Sequence, residues 1–346
     1  MRILVTGASG SVGSLLIPEL CAKGHAVRAL GRDPERVRVA LERTGASARQ
    51  RTRRRERRDE PSKLHRDDEV EVVRGDALTA EGLPQALDGV QVAYYLIHSM
   101  ERSRGDVLSF QERERLAAES FASTAAAAGV RRIVFLGGLV PRADARTGAP
   151  ADADAGAPTS RHLASREQVE TVLLEAVPDS LALRASIVVG ARSRSFRLLV
   201  RLVERMPVLT LPAWHSYRTQ PIDTRDVTAM LAACATTPLS GRSLDIAGPD
   251  VLTYGEMLTT IAELMLVNRP TLSLGVNLTA ITARVAAAIA SEDPDLVVPL
   301  MEGLHGDLLP AEDHAAELLD VRLHSFDSSV EHALAEWESF ETLAAR

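Results

Sequence analysis

The run Thr6 to Gly13, TGASGSVG, constrains this chain more than any other feature. It follows the apolar run ILV and precedes SLLIPELCAKG, so the sequence predicts a strand that passes through a glycine turn into a helix. Glycines there permit a tight turn and let the backbone approach a pyrophosphate, which rests against the N–H groups and positive dipole of a helix starting near Ser11. A plain glycine turn is the alternative, and the strand, turn and helix around it favour a dinucleotide. The expected cofactor contacts are therefore Gly7, Ala8, Ser9, Gly10, Ser11, Val12 and Gly13.

The alternation that follows agrees. RILVTG, HAVRAL, VEVV, VQVAYYLI and RRIVFLGG read as strands, separated by amphipathic stretches that include a helix from Pro34 and a long one near 106–128. Strands alternating with helices predict βαβ units and a doubly wound parallel sheet of the Rossmann type. LALRASIVVG reads as one further strand, its apolar run uninterrupted as for a strand covered on both faces. From about Gly190 the pattern becomes helix-rich. This divides the chain into a cofactor-binding domain over 1–189 and a smaller, mainly helical substrate lobe over 190–346 that roofs the substrate cleft.

Two segments break the rhythm. The stretch 44–69 carries seven arginines between Arg49 and Arg58 and almost nothing apolar, so it reads as a solvated excursion. Asp59, Glu60, Asp67, Asp68 and Glu69 follow them directly, which argues against a nucleic-acid arm. The second, 141–160, is rich in Ala, Asp, Gly and Pro and follows a strand, where loops cover ligand sites; it is the expected lid.

Composition excludes several classes. A net charge of -7 gives no general attraction for nucleic acid or anionic membranes. Cys21 and Cys234 are the only cysteines, and neither has metal-ligand spacing around it, so no zinc site or disulfide framework is expected and the reducing cytoplasm is favoured. No apolar run approaches the ~18 residues of a membrane span. Aromatic residues amount to 3%, so the core must rest on Ala, Val and Leu.

At the end of the second strand, where an NAD enzyme places a carboxylate, the chain reads Leu30-Gly31-Arg32. A guanidinium there suits a 2'-phosphate and so NADPH. Asp33 is better read as a helix N-cap, with Pro34 and Glu35 in the first turn. Asp76 and Ala77, after VEVVRG, either lie beside the adenine or cap a helix before Leu78. Leu96 and Gly137, at strand tips, are expected where the ribose and nicotinamide pass.

TGASGSVG, AYYLIHSM at 93–100, RRIVFLGGL at 131–139 and the run from PIDTRDV to LDIAGPDVLTYGEML between 221 and 258 together resemble the atypical, NmrA-like division of the short-chain dehydrogenase/reductase superfamily. That resemblance implies NADP(H) binding in a fold of this type, and activities that range over reductases, isomerases and catalytically silent redox sensors. The superfamily's usual base is a tyrosine followed four residues later by lysine. This chain cannot form that pair, since four residues after Tyr94, Tyr95, Tyr217 and Tyr254 stand His98, Ser99, Pro221 and Leu258. His162 and Arg166 occupy the motif's place by spacing, on one helix face. Gly137 and Gly138 replace the strand-tip serine.

His162 is either a replacement acid or a solvated first-turn residue, and Arg166 a ribose or helix-end contact. His98 and Ser99, after the fourth strand, either meet the substrate or stabilise their own loop. Trp214, His215 and Tyr217 form an aromatic cluster read as pocket wall, with core packing as the alternative; Asp223 and Asp226 read as caps of DVTAML. The function expected is an NADPH-dependent ketoreductase acting on an aromatic polyketide or quinone-like ketone, whose neighbouring phenolic hydroxyl assists protonation. The alternatives are a non-catalytic NADP(H) sensor and an NADP-dependent epimerase or isomerase.

Overall fold

The computed structural model describes residues 1–55, 70–98, 108–139, 161–211, 213–273, 306–312 and 314–343. The expected lid at 141–160, Ser99 and residues 56–69 of the basic excursion lie outside them. Strand β1 (Arg2–Val5) leads through the glycine turn to α1 (Gly13–Ala22), then β2 (Ala26–Gly31), α2 (Pro34–Arg55) and β3 (Glu71–Arg74). There follow α3 (Leu83–Leu87), β4 (Val92–Tyr95), α4 (Phe110–Ala127), β5 (Arg132–Gly138), α5 (Arg161–Ala176) and β6 (Leu181–Ala185). The sheet has seven strands in the order β11-β6-β5-β4-β1-β2-β3, where β11 is Arg242–Ile246. β1 pairs in parallel with β2 on one side and β4 on the other, the point at which strand order reverses in a doubly wound sheet. This is a Rossmann-like sheet flanked by helices.

The later elements are β7 (Val188–Val189), α6 (Arg194–Arg205), β8 (Leu209–Leu211), β9 (Arg218–Thr219), β10 (Ile222–Asp223) and α7 (Thr224–Ala233). After β11 come β12 (Leu252–Thr253), α8 (Tyr254–Leu264), β13 (Thr271–Ser273), α9 (Ala315–Leu318) and α10 (Phe326–Glu338). The single strand expected over LALRASIVVG is two: β6 ends at Ala185, and Val188–Val189 pair instead with β10. The cause is the backbone at Ser186, whose N–H donates to Ile246 O while its hydroxyl donates to Gln220 O. The region after 190, expected to be mainly helical, also contains the short pairs β9–β12 and β8–β13.

Two compact units are present: Met1–Leu136 with Gln168–Leu183 and Thr228–Ser243, and Gly137–Glu167 with Arg184–Val227 and Leu244–Arg346. In the first, the face of α4 that carries Ala117, Ala118, Phe121 and Ala125 packs with Tyr95, Ile133 and Phe135 of the sheet. Small alanines bring α4 close, and Phe121 meets Tyr95 at 5.1 Å between ring centroids, so the few aromatics are concentrated where two layers meet. α4 begins at a capping box, Ser109 accepting from Glu112 N–H at 3.2 Å and Glu112 accepting from Ser109 N–H at 2.8 Å. In the second unit, α6, α8 and α10 enclose Phe196, Val200, Met257, Ile261 and Trp337. Among the described residues, no helix is long and apolar enough to cross a membrane.

Two buried arginines close helix ends that apolar side chains could not satisfy. Arg28 of β2 donates to Glu71 at 2.8 Å and to the carbonyls of Gln85, Ala86 and Asp88 at the end of α3. Arg132, opening β5, donates to the carbonyls of Asp179, Cys234, Thr237 and Leu239 at 2.7–3.0 Å. Orphan carbonyls at helix ends need donors, and a planar fork reaches several at once. Arg132→Met is therefore expected to lower stability by about 3 kcal/mol, since each buried carbonyl left unpaired costs ~1 kcal/mol or more. Arg132→Lys should recover only part of the loss. Urea midpoints measure both, and unchanged midpoints would mean water satisfies those carbonyls equally well.

Candidate functional site

The three glycines of the turn do different things. Gly7 has φ 61°, in the left-handed region, and a Cβ on it would lie 2.5 Å from the carbonyl oxygen of Leu96. A Cβ on Gly13 would lie 2.4 Å from the carbonyl oxygen of Gly7, so α1 can start here only without a side chain. Gly10 is different: its Cβ would meet Gly7 O at 3.0 Å and nothing else within 4 Å. The first two positions are closed by the protein itself, whereas the third opens onto free space. Thr6 underlies the turn, its hydroxyl donating to Tyr94 O at 3.0 Å and accepting from Leu96 N–H at 3.1 Å. Thr6 thereby locks the tip of β1 to the tip of β4.

Backbone donors flank Gly10 in sequence. Ser14 and Leu16 N–H already bond back to Gly10 O and Val12 O. Among the described residues, the N–H groups of Ser11, Val12 and Gly13 meet no acceptor. They stand at the positive end of α1, whose first turn holds no acidic residue. A diphosphate fits this arrangement in charge and donor count. Ala8 is buried beneath the turn and Ser9 half-buried on it.

At the end of β2, Gly31 carries no Cβ because one would press on Val37 of α2 at 2.6 Å. Arg32 next to it is exposed and makes no hydrogen bond or ion pair among the described residues. Asp33 is occupied: its Oδ1 accepts from Glu35 N–H at 3.0 Å and Arg36 N–H at 3.2 Å, capping α2. Asp76 accepts from Leu78 N–H at 2.9 Å, but residues 77–79 form a turn and α3 starts only at Leu83, so Asp76 closes a local turn rather than capping a helix. Ala77 is buried in the first unit's core.

The tyrosines are mostly structural. Tyr94 is fully buried, donates to Leu231 O at 2.8 Å, and burial pushes its hydroxyl well above the ordinary phenol range. Tyr95 packs on Phe121 and Phe135. Tyr254 is buried against Trp214, and burial raises its hydroxyl too. Of the histidines read from sequence, His98 follows the tip of β4 and its Nδ1 lies 3.8 Å from Oε2 of Glu114 on α4. His162 falls in the first turn of α5, with its side chain outside the described residues. Arg166, on the same helix, is buried. Gly137 is the last residue but one of β5 and is half-buried.

In the second unit, Trp214 and His215 lie on a 3-10 turn, Ala213–Ser216. Trp214 is core, edge-on to Tyr254 at 5.8 Å, with Tyr217 packed alongside and the His215 ring 3.3 Å from where a Cβ on Gly255 would lie. Asp223 does cap α7, accepting from Arg225 N–H at 2.6 Å, and the Arg225 guanidinium helps to hold its carboxyl below the usual range against the cost of burial. Asp226 does not cap. It sits within the first turn of α7 and accepts from both the backbone N–H of His324 at 2.8 Å and its ring Nδ1 at 2.5 Å, fastening the segment before α10. Burial raises its carboxyl despite those bonds. Sequence reading did not single out Glu114 or His324, and it named Thr6 only as the first residue of the glycine run. Among the described residues, no group of three His, Cys, Asp or Glu side chains could hold a metal ion.

Known proteins resemble the chain in sequence and fold. A ceramide reductase of Caulobacter vibrioides is 29% identical over 265 residues, covering 76% of this chain and 70% of that protein. The crystal structure of gox2253 superposes with a TM-score of 0.69 at 18% identity, covering 98% of each chain. MoeE5 in complex with UDP-glucose and NAD gives 0.66 at 16% identity, over 98% of this chain and 99% of that one. UDP-glucose 4-epimerase of Thermotoga maritima gives 0.66 at 13%, again over 98% and 99%. These structural likenesses show the fold. Residues 1–263 match the NmrA-like family, and the chain, with its glycine turn intact, belongs to it.

Proposed function

We propose that this chain binds NADPH and reduces a ketone with it, without the tyrosine–lysine pair of the larger superfamily. The observation that carries the reading is the cradle at Gly10: an exposed glycine, three N–H groups that meet no acceptor among the described residues, and an exposed Arg32 at the end of β2 with no partner among them. The backbone cradle takes the diphosphate and Arg32 the 2'-phosphate. Asp33 would repel that phosphate if free, but it is turned to the α2 backbone. The bound dinucleotide would supply hydride, and the chain's own work is to hold it and deliver a proton to the carbonyl oxygen.

The reductase relative from Caulobacter supports carbonyl reduction as the reaction class. The substrate proposed is an aromatic ketone, of polyketide or quinone type, with a hydroxyl beside the carbonyl. An internal hydrogen bond there lowers the barrier to alkoxide formation. Purified protein mixed with NADPH and such ketones should lose the absorbance of reduced nicotinamide at a rate that depends on ketone concentration. Tight NADPH binding with no oxidation by any ketone would instead favour the sensor.

Two substitutions examine the cradle. Arg32→Ala should weaken NADPH binding by roughly 10- to 100-fold and leave NADH binding nearly unchanged, because one charge-assisted contact of about 1.5–3 kcal/mol is lost only with the 2'-phosphate. Calorimetric titration measures this; equal losses for both nucleotides would mean Arg32 has another role. Gly10→Val should remain folded by circular dichroism yet bind NADPH at least about tenfold more weakly, since its side chain enters the space the diphosphate needs. Gly13→Val should lose stability before affinity can be asked about, because its Cβ meets Gly7 O at 2.4 Å.

A further inference from the structure

The inward face of α4 is apolar at Ala117, Ala118, Phe121 and Ala125, yet one turn earlier it carries Glu114, a carboxylate only 1% exposed. Burying a carboxylate is costly unless something polar answers it, and an alanine or leucine would have served packing at no such cost. His98 answers it. Its side chain is 35% exposed, its Nδ1 lies 3.8 Å from Glu114 Oε2, and its ring meets Phe110 edge-on at 6.2 Å between centroids. On the same turn Glu112 accepts from Ser109 N–H, and Arg115 pairs with Glu119 at 2.7 Å. Arg113 is buried on the same turn.

The place of this pair in the fold matters as much as its geometry. Leu96 is bound to Thr6, and its carbonyl sits over Gly7, so the chain leaving β4 passes directly beside the glycine cradle. His98 is two residues farther on. Ligands of doubly wound sheets bind at the carboxyl ends of the strands on either side of the reversal point, here β1 and β4. A carboxylate set behind an imidazole on its Nδ1 side is placed to orient the ring and select its tautomer.

We propose that His98 is the proton donor of the reduction and Glu114 its positioning residue, an inference that rests on the reductase reading above. As the carbonyl carbon accepts the hydride pair from a reduced nicotinamide, the C=O π electrons move to oxygen. That oxygen takes the proton from His98 Nε2, whose N–H bond breaks to leave a neutral ring with its remaining proton on Nδ1 toward Glu114. Solvent returns a proton to Nε2. The donor is then the protein's, and this replaces the substrate-assisted protonation of the proposed function while keeping its reductase reading.

The test has a spectroscopic arm and a kinetic one. In nitrogen-15 spectra of the full chain without nucleotide, His98 of the wild type should keep its charged ring to higher pH than in Glu114→Gln, and its neutral form should carry the proton on Nδ1. A ring that titrates identically in both proteins would overturn the pairing. In steady state, His98→Ala should lower kcat by about 10²- to 10⁴-fold with NADPH affinity unchanged. Glu114→Gln should lower kcat without raising KM, and Glu114→Asp should restore part of it. Wild type should also reduce a ketone whose neighbouring hydroxyl is methylated at nearly the normal rate. If His98→Ala keeps its turnover while the methylated ketone fails, the donor is the substrate, and the proposal is wrong although the reductase reading stands. If the wild type consumes no NADPH with any ketone, both fall together.

Discussion

The approach of Gly7 to the Leu96 carbonyl is the constraint on which the site depends. A side chain at residue 7 would collide with backbone 2.5 Å away, so β1 and β4 can meet at their tips only through a glycine. Thr6 completes the junction by bonding to both Tyr94 and Leu96. This junction falls where the order of strands reverses, and the chain leaves β1 and β4 in diverging directions. The start of α1 is set on one side of it and His98 on the other. The donor cradle and the imidazole thus owe their positions to the same close contact.

Arginine carries much of the polar work of this chain, in which only Lys23 and Lys63 are lysines. Arg28 and Arg132 spread their planar forks over several carbonyls, which a point-like ammonium could not do with the same economy of space. In the second unit Arg197 and Arg201 lie over the ring of Trp337, at 4.3 and 5.0 Å from its centroid, and both reach Glu341. Arg32 stands apart from these because it is exposed and has no partner among the described residues. In the proposed function that guanidinium takes the 2'-phosphate.

The scarce aromatics are spent largely on packing. Tyr94, Tyr95 and Tyr254 are enclosed in the cores of their units, and burial raises the hydroxyls of Tyr94 and Tyr254 away from the range of a useful acid. In the proposed reaction His98 takes the place of a tyrosine, since the ordinary titration range of an imidazole lies near neutrality. The two aspartates at the start of α7 show how differently one residue type can serve. Asp223 is held charged by Arg225, whereas Asp226 is spent on fastening His324.

The glycine turn, the parallel alternation and the capping role of Asp33 were legible in the sequence, because each depends on neighbours within a few positions and on periodicity. The missing tyrosine–lysine pair was legible for the same reason. Other features depend on contacts between distant residues. Ser186 ends β6 because Ile246 and Gln220 meet it there, although the apolar run continues through Val188 and Val189. Trp214 belongs to a core built from α6, α8 and α10, and no local pattern separates such a residue from one lining a pocket. Asp226 looked like a cap from its place before a helix, yet it is bound to His324, 98 positions away. Glu114 was visible only as one acid among several in FQERERLAAES. Tertiary packing decided that it faces inward toward His98, because burial, unlike turn formation, is a property that neighbours in sequence do not determine.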